Sequence, residues 1–143
     1  MKNLDKGNLF NIFTVGDEEL YKEYGVEEVL NSPFILLGMT IRGVENYYTI
    51  HQIYENRFKE EYDSVRDSIK LKYFITLVKY LERIENLPSY TVSNILEEFG
   101  ESSVYFAFSE MLTFLEEKEY YEKCIVVKKF LDLFFLKELD DLI

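Results

Sequence analysis

Tryptophan is absent from this chain, and cysteine, histidine and alanine occur once each. A lone Cys124 has no partner for an internal disulfide, so an oxidising compartment is not implied. A lone His51 cannot supply the paired imidazoles of a common zinc site. The six glycines are scattered at positions 7, 16, 25, 38, 43 and 100, in neither dinucleotide-binding nor phosphate-loop spacing. The most apolar run, Cys124–Leu136, falls short of the roughly 20 residues that cross a bilayer. Bases are also scarce: 16 Lys and Arg stand against 27 Asp and Glu, for a net charge of −11. Direct binding to a nucleic-acid backbone needs a cationic surface and is disfavoured. The opening Met-Lys-Asn-Leu-Asp-Lys-Gly has no apolar core or cleavage site of the signal-peptide type and no Gly for myristoylation. Cytoplasmic residence, in a bacterial or phage-infected cell, is the expectation.

What is abundant is aromatic: 12 Phe and 12 Tyr in 143 residues. Phe, Tyr, Ile, Asn and Lys have AT-rich codons, whereas the scarce Ala, Gly, Pro and Arg have GC-rich ones. The gene therefore reads as coming from a low-GC bacterium or its phage, and the aromatic excess carries little functional information. The length suits one domain, residues 1–143, with a real core.

The spacing predicts an all-α, single-domain bundle of about six helices around a central C-terminal hydrophobic helix, Cys124–Leu136, apolar on nearly every side. Residues 1–16 read as an irregular N-terminal arm, followed by a short helix from Glu18 to Tyr24 capped by Asp17. Ser32-Pro33 is a helix-start signal. The run 34–41 fits helix or strand by its period, and the cap favours helix. Gly38 and Gly43 are weak points where another backbone could approach. A helix from about Glu45 to Glu61 carries Ile50, Ile53, Tyr54 and Phe58 along one stripe. Asp63-Ser64, with Asp67, should cap a helix over about Val65–Glu85. This helix would bury Ile69, Tyr73, Leu77, Tyr80, Leu81 and Ile84 and expose Lys72, Lys79 and Arg83. Leu87-Pro88-Ser89 is a break. A short helix from Thr91 or Ser93 ends at Gly100, and Ser102 or Ser103 caps the next, about Val104–Glu117, with Val104, Phe108, Met111, Leu112 and Leu115 inward. A turn at Lys118-Glu119 closes an αα-hairpin over residues 103–139. The phrase Glu119-Tyr-Tyr-Glu-Lys-Cys-Ile-Val-Val-Lys-Lys resembles the second helix of many small helical hairpins, including the interaction hairpins of excision-repair proteins. That resemblance implies a hairpin here.

No constellation supports catalysis. His51 and Glu55 share a helical face, but two ligands do not complete a metal site, and no cofactor is implied. Cys124 could take His51 as a base only outside the apolar run it opens, where burial raises a thiol's pKa. Adjacent acids such as Glu60-Glu61, Glu97-Glu98 and Glu116-Glu117 diverge by about 100° on a helix and do not converge as dyads. The chain reads as a non-enzyme.

Charge distribution is the informative feature. Between Glu85 and Glu122 there are nine carboxylates and one base, Lys118. Such a segment either keeps an aromatic-rich protein soluble or presents an anionic field to a partner. The expected function is a non-catalytic acidic interaction protein that binds a basic protein surface through Glu97, Glu98, Glu101, Phe106, Glu110, Glu116 and Glu117. Phe106 falls among acids on the outer side of its helix, as an interface anchor does, unless a neighbouring segment covers it. Codon bias and size suggest a phage or mobile-element accessory protein that inhibits a host nucleic-acid-handling or defence factor. The alternative is a structural or assembly subunit acting through self-association, as a homo-oligomer.

Overall fold

The structure is a computed structural model and describes residues 31–135. The described residues are all-α. Among them six helices follow one another: α1 Pro33–Arg57, α2 Lys59–Asp63, α3 Arg66–Glu82, α4 Ser89–Phe99, α5 Glu101–Glu117 and α6 Tyr121–Phe135. The expected arm at 1–16, the helix at 18–24 and the end of the hairpin at 136–139 lie outside the described residues.

The run 34–41 is helix, and it continues without interruption into what reads from sequence as a separate helix beyond Val44. Ser32 is extended and Pro33 opens the first turn, as expected, but the serine side chain makes no capping hydrogen bond. Its carbonyl accepts from the Leu36 N–H at 2.9 Å instead. The two glycines do mark close approach, though by side chains rather than by backbone. A Cβ on Gly38 would lie 3.3 Å from the Phe99 ring, and one on Gly43 would lie 2.7 Å from Leu77. Thr40, fully buried, satisfies its hydroxyl by donating to the Leu36 carbonyl at 2.8 Å.

The core forms where α1 packs on α3 and α5, α5 on α6, and α6 back on α3, with α4 laid across α1 and α5. The whole expected α3 stripe, Ile69 to Ile84, is buried, and Phe74 and Val78 widen it. Lys72, Lys79 and Arg83 are exposed, as expected. A smaller cluster of Tyr54, Tyr62 and Ile69 clamps the short α2 between α1 and α3. Ile53 does not join it and stays 48% exposed, because α1 there extends past the main core and offers only its Tyr54 side.

Three helix-start expectations are corrected. The helix α4 starts at Ser89, directly after Pro88, and not at Thr91 or Ser93. Ser64 does not cap α3; its hydroxyl donates back to the Glu61 carbonyl at 2.8 Å, and Val65 precedes the helix. Ser102 and Ser103 do not cap α5, which starts at Glu101 immediately after Gly100. Gly100 adopts φ 86°, which glycine tolerates freely, so α4 and α5 abut across one residue.

The α5–α6 turn falls at the expected place. Tyr120 N–H bonds to the Leu115 carbonyl at 2.9 Å and Glu119 N–H to Glu116 at 3.0 Å, with Glu119 left-handed at φ 64°. These are the two hydrogen bonds of a Schellman ending. Inside the hairpin Phe108 meets Phe130 and Phe134, ring centroids 6.5 and 5.6 Å apart. The most apolar stretch of the sequence buries Cys124, Val127, Phe130 and Phe134 against α3, α4 and α5. Its other side is open, with Ile125 70% and Leu133 42% exposed. Lys128 and Lys129, both exposed, belong to that outer side, which a hydrophobicity count round the helix does not separate.

Candidate functional site

The acids that the sequence groups together are distributed by the fold into three places. Glu97 and Glu98 are exposed at the end of α4, and Glu101 is exposed at the start of α5. The single-residue junction at Gly100 brings these three together. Glu110 and Glu117 lie about 14 and 24 Å further along the α5 axis. They face α1 and α3, where both act on Lys70 and on Tyr48. Glu116 points towards α6, close enough to help raise the Cys124 thiol's pKa, whose main cause is burial. The six predicted glutamates therefore form one acidic end, one acid pair with a base of its own, and one separate glutamate.

Phe106 is 41% exposed. Its ring meets the edge of Tyr48 at 5.6 Å, and the Tyr48 hydroxyl donates to Glu110 Oε2 at 3.0 Å. Burial, and then Glu110, push the Tyr48 phenol above its ordinary range, so it stays a neutral donor. Beside Phe106, Tyr105 is 51% exposed and its ring lies 5.5 Å from Phe135. Together with Glu101, Ser102 and Ser109 these aromatics line a shallow open depression of about 470 Å³. Sequence reasoning found Phe106 and missed Tyr105. The available signal was the helical wheel, on which Tyr105 and Phe106 fall about 100° and about 200° beyond Val104, outside the arc that Val104, Ala107 and Phe108 bury.

A second cleft, of about 270 Å³, opens between α1, α3 and the end of α5, and Lys70 dominates it. The Lys70 ammonium lies 4.5 to 5.9 Å from the centroids of Phe114, Tyr48, Phe74 and Tyr47. Cation–π attraction holds it there. Burial lowers its pKa, and Glu110, Glu117 and Asp67 oppose that shift. Lys118 bonds Asp67 at 2.9 Å on the rim and also lies over the Phe114 ring. The cleft's acids and bases largely compensate one another, so its net field is weak.

His51 lines the same cleft. Its Nδ1 lies 2.8 Å from the Tyr62 hydroxyl, and its ring stacks on Tyr47 at 5.8 Å. Burial lowers its pKa, which favours the neutral imidazole accepting from Tyr62. Glu55, its helical neighbour, is drawn towards Arg66 at 4.0 Å. Among the described residues no group of three or more His, Cys, Asp or Glu side chains is placed to hold a metal ion. No described helix is long and apolar enough to cross a membrane.

Compared with known proteins, the chain matches no family model, and no curated protein or solved structure matches it.

Proposed function

We propose that the protein is a non-catalytic interaction protein that docks onto a basic protein surface through the acidic end formed by α4 and α5. The single observation that carries this reading is the exposed pair Tyr105 and Phe106 beside a depression edged by Glu101. An apolar aromatic centre with a charged rim is the anatomy of a protein interface, in which a few aromatic side chains supply most of the affinity. Glu97 and Glu98 extend the anionic rim across the Gly100 junction and would steer a cationic partner. Glu110 and Glu117 contribute less, since Lys70 offsets them. The codon bias fits a phage or mobile-element accessory protein that occupies a host nucleic-acid-handling or defence factor.

The test is retention of a host protein by the immobilised chain at rising salt. Retention should fall steeply with salt, because screening shortens the reach of exposed charges. It should also be lost in a Glu97→Lys, Glu98→Lys, Glu101→Lys variant and in Phe106→Ala, each checked for unchanged helix content. Retention indifferent to salt and to both variants removes the basis of this reading.

A further inference from the structure

The outward side of α6 carries Tyr121, Ile125 and Leu133, and Ile125 is the most exposed of the described large hydrophobics. Spaced by four and eight residues, they share one side of the helix. Three exposed charges accompany them: Glu122 in the first turn, and Lys128 and Lys129 about two turns later, with Glu122 and Lys129 on the Leu133 side of Ile125 and Lys128 on the other. Neither Glu122 nor Lys129 has an ion pair among the described residues, and the Lys129 ammonium lies 5.7 Å from the Phe130 ring centroid. An acid in the first half and a base in the second half of one apolar ridge form a self-complementary pattern. Run antiparallel against its own copy, about a two-fold axis beside Ile125, the ridge sets Glu122 against the other copy's Lys129. Symmetry repeats that pair on the far side of the axis, with the two Ile125 side chains packed between.

We infer that α6 is a homodimer interface in which two copies pair antiparallel through Ile125, Glu122 and Lys129. This goes beyond the acidic-end reading and does not rest on it, because it uses a different helix and a second copy of the same chain. One helix face offers less than the roughly 800 Å² per partner of a standard stable interface. The dimer is therefore weak and forms as concentration rises.

Sedimentation or light scattering between roughly 10 μM and roughly 1 mM tests it. The wild-type mass should climb from 17.2 kDa towards twice that value. Ile125→Asp should hold the chain monomeric with unchanged helix content, since the residue is exposed. Glu122→Lys and Lys129→Glu should each weaken the dimer at least tenfold by opposing like charges twice. The double variant should regain it, and so should an equimolar mixture of the two single variants, in which every cross-pair is again of opposite sign. A wild-type chain monomeric throughout overturns the proposal. So does a dimer that ignores Ile125→Asp, or one whose strength the charge exchanges leave unchanged.

Discussion

The Tyr73 hydroxyl donates a 2.8 Å hydrogen bond to the carbonyl of Gly43, joining the middle of α3 to the middle of α1. One turn along, Leu77 fills the space that a side chain on residue 43 would need. The absent Cβ thus sets how closely α1 and α3 approach.

Gly43→Ala tests that relationship. In an exposed helix the change would gain about 1 kcal/mol of helix propensity. Here the new methyl would meet Leu77 at 2.7 Å in a fully packed core, and overpacking costs about 1–3 kcal/mol. Urea denaturation should show a net loss of about 1 kcal/mol, partly recovered when Leu77 is shortened to Val. A gain in stability would show that Leu77 moves aside freely.

Phe106 and Phe108 are two residues apart on α5 and should respond oppositely to truncation. Phe108 is fully buried against Phe130 and Phe134. Phe108→Ala should cost about 3–5 kcal/mol by transfer and cavity terms together. Phe106→Ala should change stability by no more than about 1 kcal/mol while abolishing retention of the proposed partner. Denaturant midpoints and the binding assay separate the two effects.

Glu119→Gly should stabilise the protein. Glu119 holds φ 64° in the Schellman ending of α5, where a Cβ is strained and glycine is not. The gain should be about 0.5–1 kcal/mol in the denaturation free energy. A destabilised variant would mean that the glutamate side chain contributes more than its backbone strain costs.

His51 should make stability depend on pH. Its pKa in the folded protein lies below the unfolded 6.5, chiefly through burial, with Arg66 and Lys70 acting in the same direction and Glu55 and Asp63 against it. The unfolded chain then binds the proton more readily, so stability rises with pH across this window. The contribution is complete above 6.5 and is lost as pH falls through the lower, folded value. Thermal midpoints should therefore drop on acidification below pH 6.5, by less in His51→Gln. Equal drops in the two proteins would assign the effect to other groups.

Much of the fold could be read before any coordinates. The 3/4 spacing of Ile69, Tyr73, Leu77 and Leu81 named the buried side of α3, and Pro88 and Gly100 marked the breaks on either side of α4, because these signals act within a few residues. That helix nevertheless starts at Ser89 rather than at the expected Thr91 or Ser93. The continuity of α1 could not be read so. Gly38 and Gly43 look like interruptions until Phe99 and Leu77, distant in sequence, are seen to fill the gaps. The same limit applies to the sites. The outward turn of Phe106 follows from its own helix, whereas the Lys70 cleft draws on residues near 48, 70 and 114 that only tertiary packing brings together. Charge counted along the chain likewise could not show that Glu110 and Glu117 turn towards a lysine.

Gly100 leaves no slack between α4 and α5, and Phe99 beside it is held between Gly38 and the Arg42 guanidinium, 4.8 Å from its ring centroid. The backbones carrying Glu98 and Glu101 consequently keep a fixed separation. A molecule reading both carboxylates would meet them at the spacing that this packing sets. Recognition there would be rigid-body and selective, with the ordering already done when the chain folded.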